Sequence, residues 1–576
     1  EDQVIAGDLE RTRLKPVKVL FIVGVNDGII PGHGASGGIL SDLEREFLSD
    51  LGVTLAPTPR QKSFEERLYL YMNMTQPSEQ LILSYAEVDE AGDLLRPSYL
   101  IHTVEKLYTD LEIRMITEDT LLYMIESREC GLKLLARLLR EYVAGTILED
   151  SGKWDYLLSL GHIFCREQDF AGILDAAFFE YRDRRLSAYI AKALFGDKLH
   201  TSVSRLEQFS ACAYAHFLKY GLQLSDEEHY EFDITDLGNL YHEALYQFGN
   251  YLTVKGEDWT SYSKETAESF VEDTVEHFAT EYRNRVLFDT ARNEALKERA
   301  KEMLKTTLDS LSYQLMQGDF RPACYELSFH YLANPSLYGK IDRLDIAEDG
   351  DTRYVKVLDY KSGSHTFDIS RLYYGLDLQL AVYLNAAVTA QKEEHPDQTI
   401  VPSACFYYEI ADPMPESLSL DNPEERIQAI RKQLRVNGLI LEDDAVLEHL
   451  DRTQGAESLA VPVKYRKNGE LSGTSQTAGK VQFELIEKYA DYKVKQIAQS
   501  IWEGDICISP IKEQAEQTTC RYCAYRSICG FEKKLPGFKE RDMELKQDAV
   551  YEQMKKELSE HGVYDGSKEG HNGQKS

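Results

Sequence analysis

The sequence predicts an α/β protein, and three observations carry that prediction. An apolar strand, two helical stretches and a second strand follow one another between residues 17 and 86. Three alternating segments lie close together between residues 324 and 360. Helical-period stretches at 268–316 and 369–392 enclose them, and another strand follows at Ser403–Glu409. Strand–helix–helix–strand is the order of a parallel sheet edge, and helix–three strands–helix–strand is that of a compact α/β domain.

At roughly 150 residues per domain, 576 residues make room for about three or four domains. A composition that is 43% hydrophobic supplies a sizeable core. With 65 Lys plus Arg against 97 Asp plus Glu, the net charge is −32. That excludes a uniformly basic coat for nucleic acid but leaves room for a local basic channel. An anionic membrane surface is a poor partner for such a charge. Nine cysteines are too few for a disulfide scaffold. No signal-peptide pattern opens the chain and no apolar run approaches about 18 residues, so the expected location is cytoplasmic, without a membrane partner. The chain opens on Glu1 with a buried strand soon after, which reads as a fragment lacking its amino-terminal part.

Val17–Val25 reads as a strand ended by Gly24, Asn26, Asp27 and Gly28, and Pro31, Gly32, His33 and Gly34 continue the loop. Leu40–Leu51 and Phe64–Thr75 have helical spacing, and Gln80–Ala86 reads as a strand. Residues 100–200 are helical, notably Leu132–Tyr142 and Asp169–Phe195, and read as packing. A new unit starts at 201, where Ser204 is placed to cap the helix carrying Cys212. Cys324–Tyr331, Gly339–Ile346 and Tyr354–Tyr360 alternate, and a turn cluster ending in Gly350-Asp351-Thr352 separates the last two. Residues 410–465 are polar and read as an excursion, 478–500 as a helix and 559–576 as a disordered tail.

The sharpest chemistry lies in Gly339-Lys340-Ile341-Asp342-Arg343 and Asp359-Tyr360-Lys361. Strand side chains alternate faces, so Asp359 and Lys361 share one face, and Asp342 lies on the preceding strand of the same hairpin. Two close carboxylates repel one another and are best tolerated around a divalent cation. Mg²⁺ is hard and prefers such oxygens. A lysine beside them orients water or stabilises developing phosphoryl charge. The bland alternative is a charged hairpin with solvated Asp, Lys and Arg.

These segments resemble the nuclease domain of the RecB family, within the PD-(D/E)XK superfamily. The resemblance implies that Asp342 and Asp359 are metal ligands and Lys361 the catalytic lysine. Gln379 and Tyr383, one helical turn apart, would position DNA or water. The family histidine matches His242, as a third metal ligand or its orienter. Glu326 matches a weaker first acidic position, with a solvated strand glutamate as the equal alternative.

Cys520, Cys523 and Cys529 form a C-x₂-C-x₅-C triplet. Three local thiolates need a fourth ligand, and zinc suits four thiolates as well as iron does. The resemblance to AddB-type nuclease domains implies Cys212 as that fourth ligand and a [4Fe–4S] cluster that staples the two ends of the domain. Cys130, Cys165, Cys324, Cys405 and Cys507 read as ordinary small residues.

Val19–Pro31 resembles a late motif of superfamily 1 helicases, and Glu65–Tyr85 resembles their last motif. That last motif places an arginine after the threonine. Here Gln76 follows Thr75, and a neutral side chain cannot neutralise a transferring phosphoryl group. No G-x-x-x-x-G-K-[ST] loop occurs in the chain.

The expected fold is thus the remnant of a superfamily 1 helicase-like parallel-sheet domain, followed by a restriction-endonuclease-like α/β nuclease domain stapled by an iron–sulfur cluster. The divisions are 1–100 for the end of the helicase-like domain, 101–200 for a helical connecting region, 201–540 for the nuclease and 541–576 for a helical end and tail. The resemblance, to the carboxy-terminal half of AddB-type subunits, implies an Mg²⁺-dependent DNA exonuclease. It would act on single-stranded DNA from unwound duplex ends, in a heterodimer with an AddA-type helicase/nuclease subunit, during recombinational repair. The competing readings are a non-catalytic DNA-binding scaffold and a zinc-binding structural protein.

Overall fold

The computed structural model describes residues 4–9, 11–32, 40–89, 92–108, 110–111, 113–115, 125–148, 151–166, 168–225, 234–281, 290–332, 334–413, 423–452, 457–466, 468–514, 517–545 and 547–564. The loop residues His33 and Gly34 and most of the expected tail, 565–576, lie outside them. The chain forms two compact units, Glu1–Phe170 and Ala171–Ser576. Among the described residues no helix is long and apolar enough to cross a membrane.

In the first unit Val17–Ile22 pairs in parallel with Pro77–Leu83, with helices Asp42–Asp50 and Pro59–Met74 between them in sequence. Thr58 and Gln61 close a capping box at the second helix, and Pro59 occupies its first turn. Buried Asn26 donates Nδ2 to the Ala86 and Arg96 carbonyls and accepts from the Ala86 N–H, so this loop asparagine ties the ends of the two strands. Gln76 donates to the Met72 carbonyl in the last turn of the helix it follows.

The second unit is built on a large mixed sheet and also carries a small three-stranded one, Ile511–Gln514, Gln517–Thr518 and Arg541–Asp542. Its main elements are α1 (Val203–Ala211), α2 (Ile234–Lys255), α3 (Lys264–Glu281), α4 (Ala291–Met316), β1 (Arg321–Tyr331), β2 (Ser336–Asp349), β3 (Thr352–Lys361), α5 (Gln379–Glu394), β4 (Thr399–Glu409), β5 (Asn437–Leu441), α6 (Lys480–Trp502) and α7 (Gln547–Glu560). β1, β2 and β3 form an antiparallel meander. From β3 the chain crosses through α5 to β4, which lies parallel to β3, since a parallel neighbour is reached only by a crossover. β5 adds antiparallel to β4, and His200–Thr201 and Thr477–Ala478 complete the edges. β3 is central and is buried from Tyr354 to Tyr360, as expected of a strand covered on both faces.

Four local readings are corrected. Ser202, not Ser204, caps α1, accepting from the Arg205 N–H, and Cys212 is the residue that ends the helix. Residues 369–392 are not one helix: Ile369–Tyr373 stops, and α5 starts at Gln379. Gly375 sits between them at φ +79°, a conformation cheap only for glycine. Asp169–Phe195 likewise divides into Gln168–Ala177 and Ala188–Phe195. Within 410–465, β5 belongs to the central sheet, because Gly438–Leu441 is a short apolar run buried against β4.

Candidate active site

The register of the meander lines up three acids. β2 and β3 pair as far as Arg343 with Leu358, so the next step sets Asp342 across from Asp359. β1 pairs Tyr325 with Arg343 and Leu327 with Ile341, which sets Glu326 across from Asp342 on the other side. Glu326, Asp342 and Asp359 therefore form a row across three adjacent strands. Glu326 has φ +47°, an uncommon conformation for a glutamate, and it pairs with Lys340 at 2.8 Å. With His242 and Tyr360, Glu326 and Asp342 line one small cleft.

His242 on α2 puts Nδ1 3.2 Å from Asp342 Oδ1. Asp342 Oδ2 accepts the backbone N–H of Tyr360 at 2.7 Å. Burial disfavours a charged His242, but the hydrogen bond and charge of Asp342 outweigh it and hold the imidazole pKa above its ordinary value.

Asp359 is 3% exposed. Burial, reinforced by the Asp342 charge and opposed by Lys361, pushes its pKa up to about 6. Gln379, the first residue of α5, donates Nε2 to Asp359 Oδ1 at 2.6 Å and accepts Lys361 Nζ on Oε1 at 2.7 Å. Its Nε2 also lies 3.1 Å from the Tyr383 hydroxyl. Lys361 Nζ forms an ion pair with Asp359 Oδ2 at 2.7 Å, and this buried oxygen accepts from no other group among the described residues.

His242, Asp342, Asp359, Lys361, Gln379 and Tyr383, singled out in the sequence, thus come together, with Glu326 beside Asp342. A divalent cation fits the donor chemistry, since a buried carboxylate beside a second carboxylate is costly without positive charge. Among the described residues, no three His, Cys, Asp or Glu side chains are gathered closely enough to hold a metal ion as they stand. The ammonium of Lys361 partly supplies the missing charge.

Two further residues frame this centre. Glu207 on α1 accepts the N–H groups of Leu378 and Gln379 on Oε1, at 2.7 and 3.1 Å. Burial and the nearby Asp377 charge push its pKa up to about 7. Asp377 accepts the Tyr407 hydroxyl at 2.6 Å, and Lys361 Nζ lies 5.2 Å from the Tyr407 ring centre. Neither acid was visible as a site residue in the sequence.

Cys212, Cys520, Cys523 and Cys529 line one cavity of about 700 Å³, and none of the four is in a disulfide. Burial, then the neighbouring Cys212, Cys523 and Cys529, push the Cys520 thiol up to about 12. The Phe531 N–H donates to Cys529 Sγ at 3.4 Å. Four unbridged sulfur donors around one cavity suit a soft metal centre in chemistry, although their sulfurs are not closed to ligating geometry.

A family model described as the PD-(D/E)XK nuclease superfamily matches residues 200–530, more than half of the chain. The chain belongs to the PD-(D/E)XK nuclease superfamily. It is 35% identical to the B subunit of the ATP-dependent helicase/deoxyribonuclease of Lachnoclostridium phytofermentans, over 96% of this chain and 49% of that protein. It is 31% identical to the protein of the same name from Alkaliphilus oremlandii, over 96% of this chain and 50% of the relative. The chain spans about half the length of the curated relatives it matches. The superfamily match encloses His242, Asp342, Asp359, Lys361, Gln379 and Tyr383, and all four clustered cysteines.

Proposed function

We propose that this chain is the nuclease-bearing part of a helicase–nuclease subunit, and that it hydrolyses phosphodiester bonds of single-stranded DNA in an Mg²⁺-dependent reaction. The observation that supports this best is the linkage of Asp359, Lys361 and Gln379 beside Asp342 within the superfamily's matched region. Asp342 and Asp359, with His242, would hold Mg²⁺, which when bound supplies Lewis acidity at the scissile phosphate and lowers the pKa of water. Lys361 offers a cation to the developing phosphoryl charge. Gln379 holds that cation in place through Oε1 and steadies Asp359 through Nε2. His242 fixes Asp342 through Oδ1, the oxygen that the Tyr360 N–H leaves free.

In this reading an AddA-type partner supplies ATP-driven unwinding in a cytoplasmic heterodimer, and cleavage resects duplex ends for recombinational repair. The relatives are named as one lettered subunit of a helicase/deoxyribonuclease, which supports a partner. Residues 1–100 would be the end of a helicase-like domain, 101–200 a helical connection, 201–540 the nuclease and 541–576 a helical end and tail. Gln76 at the arginine position argues that this lobe serves structure and strand handling rather than ATP hydrolysis. Cys212, Cys520, Cys523 and Cys529 would hold a [4Fe–4S] cluster. It would close a loop of about 300 residues and so stabilise the domain.

The test is Mg²⁺-dependent cleavage of end-labelled single-stranded DNA by anaerobically purified protein, with Lys361→Ala beside it. Cleavage by the wild type that is lost in the variant is the expected result. Folded, iron-loaded protein that binds DNA without cutting it would turn the reading to a scaffold.

A further inference from the structure

We infer that Glu207 is a positioning residue for the nuclease centre: its buried carboxylate seats the first turn of α5 and so aims Gln379 between Asp359 and Lys361. This rests on the nuclease reading of that centre. The first N–H groups of a helix have no partner within it. At α5 the residue that should cap them is Leu378, whose side chain accepts nothing. The acceptor comes instead from α1, about 170 residues earlier, where one oxygen of Glu207 takes the N–H groups of both Leu378 and Gln379. A carboxylate there also complements the positive end of the helix dipole.

The consequence reaches the reacting groups because Gln379 is the first residue of α5. Its backbone N–H is held by Glu207, while its side chain holds Asp359 and Lys361. A displaced first turn would move the amide off both partners. The α1 side of this contact is itself fixed. A Cβ on Gly375, in the turn before α5, would lie 2.6 Å from Ser210 Oγ, so α1 and that turn pack as closely as glycine allows. Arg541 grips α1 from elsewhere, donating to the Ser210 and Ala211 carbonyls at the helix end. On its other side, the start of α5 is held by Asp377 on the Tyr407 hydroxyl. Among the described residues the hydrogen bonds of Glu207 reach the centre only through the start of α5, while its charge also acts on Lys361 at longer range.

A carboxylate that merely stabilised the fold would move the melting temperature and leave turnover alone. Two substitutions separate the roles. Glu207→Gln keeps an oxygen at the same reach and loses the charge. Glu207→Asp keeps the charge and withdraws the oxygen by one methylene. The experiment measures kcat and KM for Mg²⁺-dependent cleavage of end-labelled single-stranded DNA by the full chain, with wild type and Lys361→Ala as references. Glu207→Asp should lose about tenfold to a hundredfold in kcat with KM within about twofold, the scale of a misplaced catalytic group. Glu207→Gln should recover most of that loss. The inference is overturned if the two variants fall together, if Glu207→Asp turns over like the wild type, or if the loss lies in KM. A folded wild type that never cleaves, or a Lys361→Ala form that still does, would remove the nuclease reading itself. With a cleaving wild type and an inert Lys361→Ala, the Glu207 variants decide the positioning role on their own.

Discussion

Asp342 accepts the backbone N–H of Tyr360 on one carboxylate oxygen, 2.7 Å away, and so bridges β2 to β3 where their ladder stops. A single side chain is both a member of the acidic row and a rung of the sheet. Asp342→Asn keeps an acceptor for Tyr360 and removes the charge. It should leave the unfolding midpoint near that of the wild type and lower cleavage by about 10²-fold or more, the scale of lost metal stabilisation. Asp342→Ala should add an unfolding penalty of about 1–3 kcal/mol, because the Tyr360 N–H loses its acceptor. Equal stability of the two variants in urea titrations would show that the bridge carries no weight.

Around Lys361 the structure orders three substitutions. Lys361→Ala removes the cation and should abolish turnover. Gln379→Ala frees Lys361 from its acceptor and Asp359 from its donor, and should cost roughly tenfold to a hundredfold in kcat. Tyr383→Phe loses only the hydroxyl beside Gln379, since its ring still packs edge-on against Phe329. It should cost less than about tenfold, in line with one neutral hydrogen bond. Single-turnover rates that reverse this order would break the proposed chain of support.

On the other side of β2 and β3 lies a buried ion network. Asp345 accepts Arg343 through two bonds of 2.8 and 2.9 Å and Lys356 at 2.8 Å, and Arg343 also reaches the Tyr360 hydroxyl at 3.3 Å. Asp345→Ala would strand two buried cations and should destabilise the domain by about 3–5 kcal/mol. A shift below about 1 kcal/mol in chemical unfolding would contradict this.

Stability should also depend on pH through Glu487. Burial pushes its pKa up to about 7 against the opposing Lys392 charge, with Glu484 and Asp491 adding to the rise. The folded value lies above the unfolded one of 4.5, so the unfolded chain gives up this proton first as pH rises. The stabilisation is complete below about 4.5 and is lost as pH climbs through about 7. Glu207 has the same sign. Glu487→Gln should flatten the fall in melting temperature across that window, and an unchanged slope would refute the assignment.

For the cysteine cavity, anaerobically purified protein should be brown and contain iron, and Cys520→Ala should lose both colour and iron while melting at lower temperature. Colourless protein with stoichiometric zinc would replace the cluster with a zinc site.

Much of the centre was legible because a strand's period is two. Asp359 and Lys361 had to share a face, and the turn before Thr352 placed Asp342 on the neighbouring strand. Glu207 was not legible. A glutamate in a helix reads as solvated, and only the packing of α1 against the start of α5 buries it. The stop before α5 was hidden because Leu376, Leu378 and Leu380 prolong an apolar pattern that Gly375 interrupts. β5 was hidden for the opposite reason, as five residues in polar surroundings are too short to show a period.

The alternation of β2 gives the molecule a form of proofreading. Asp342 faces the acidic row, while its neighbours Ile341 and Arg343 are buried. A slip of one residue against β3 would turn Asp342 away from Asp359 and, in the same motion, carry Arg343 and Asp345 away from Tyr360 and Lys356. Misregistered chains would forfeit cohesion together with reactivity. A long-lived impostor, sound in body but unable to cut, is therefore not an outcome that this strand permits.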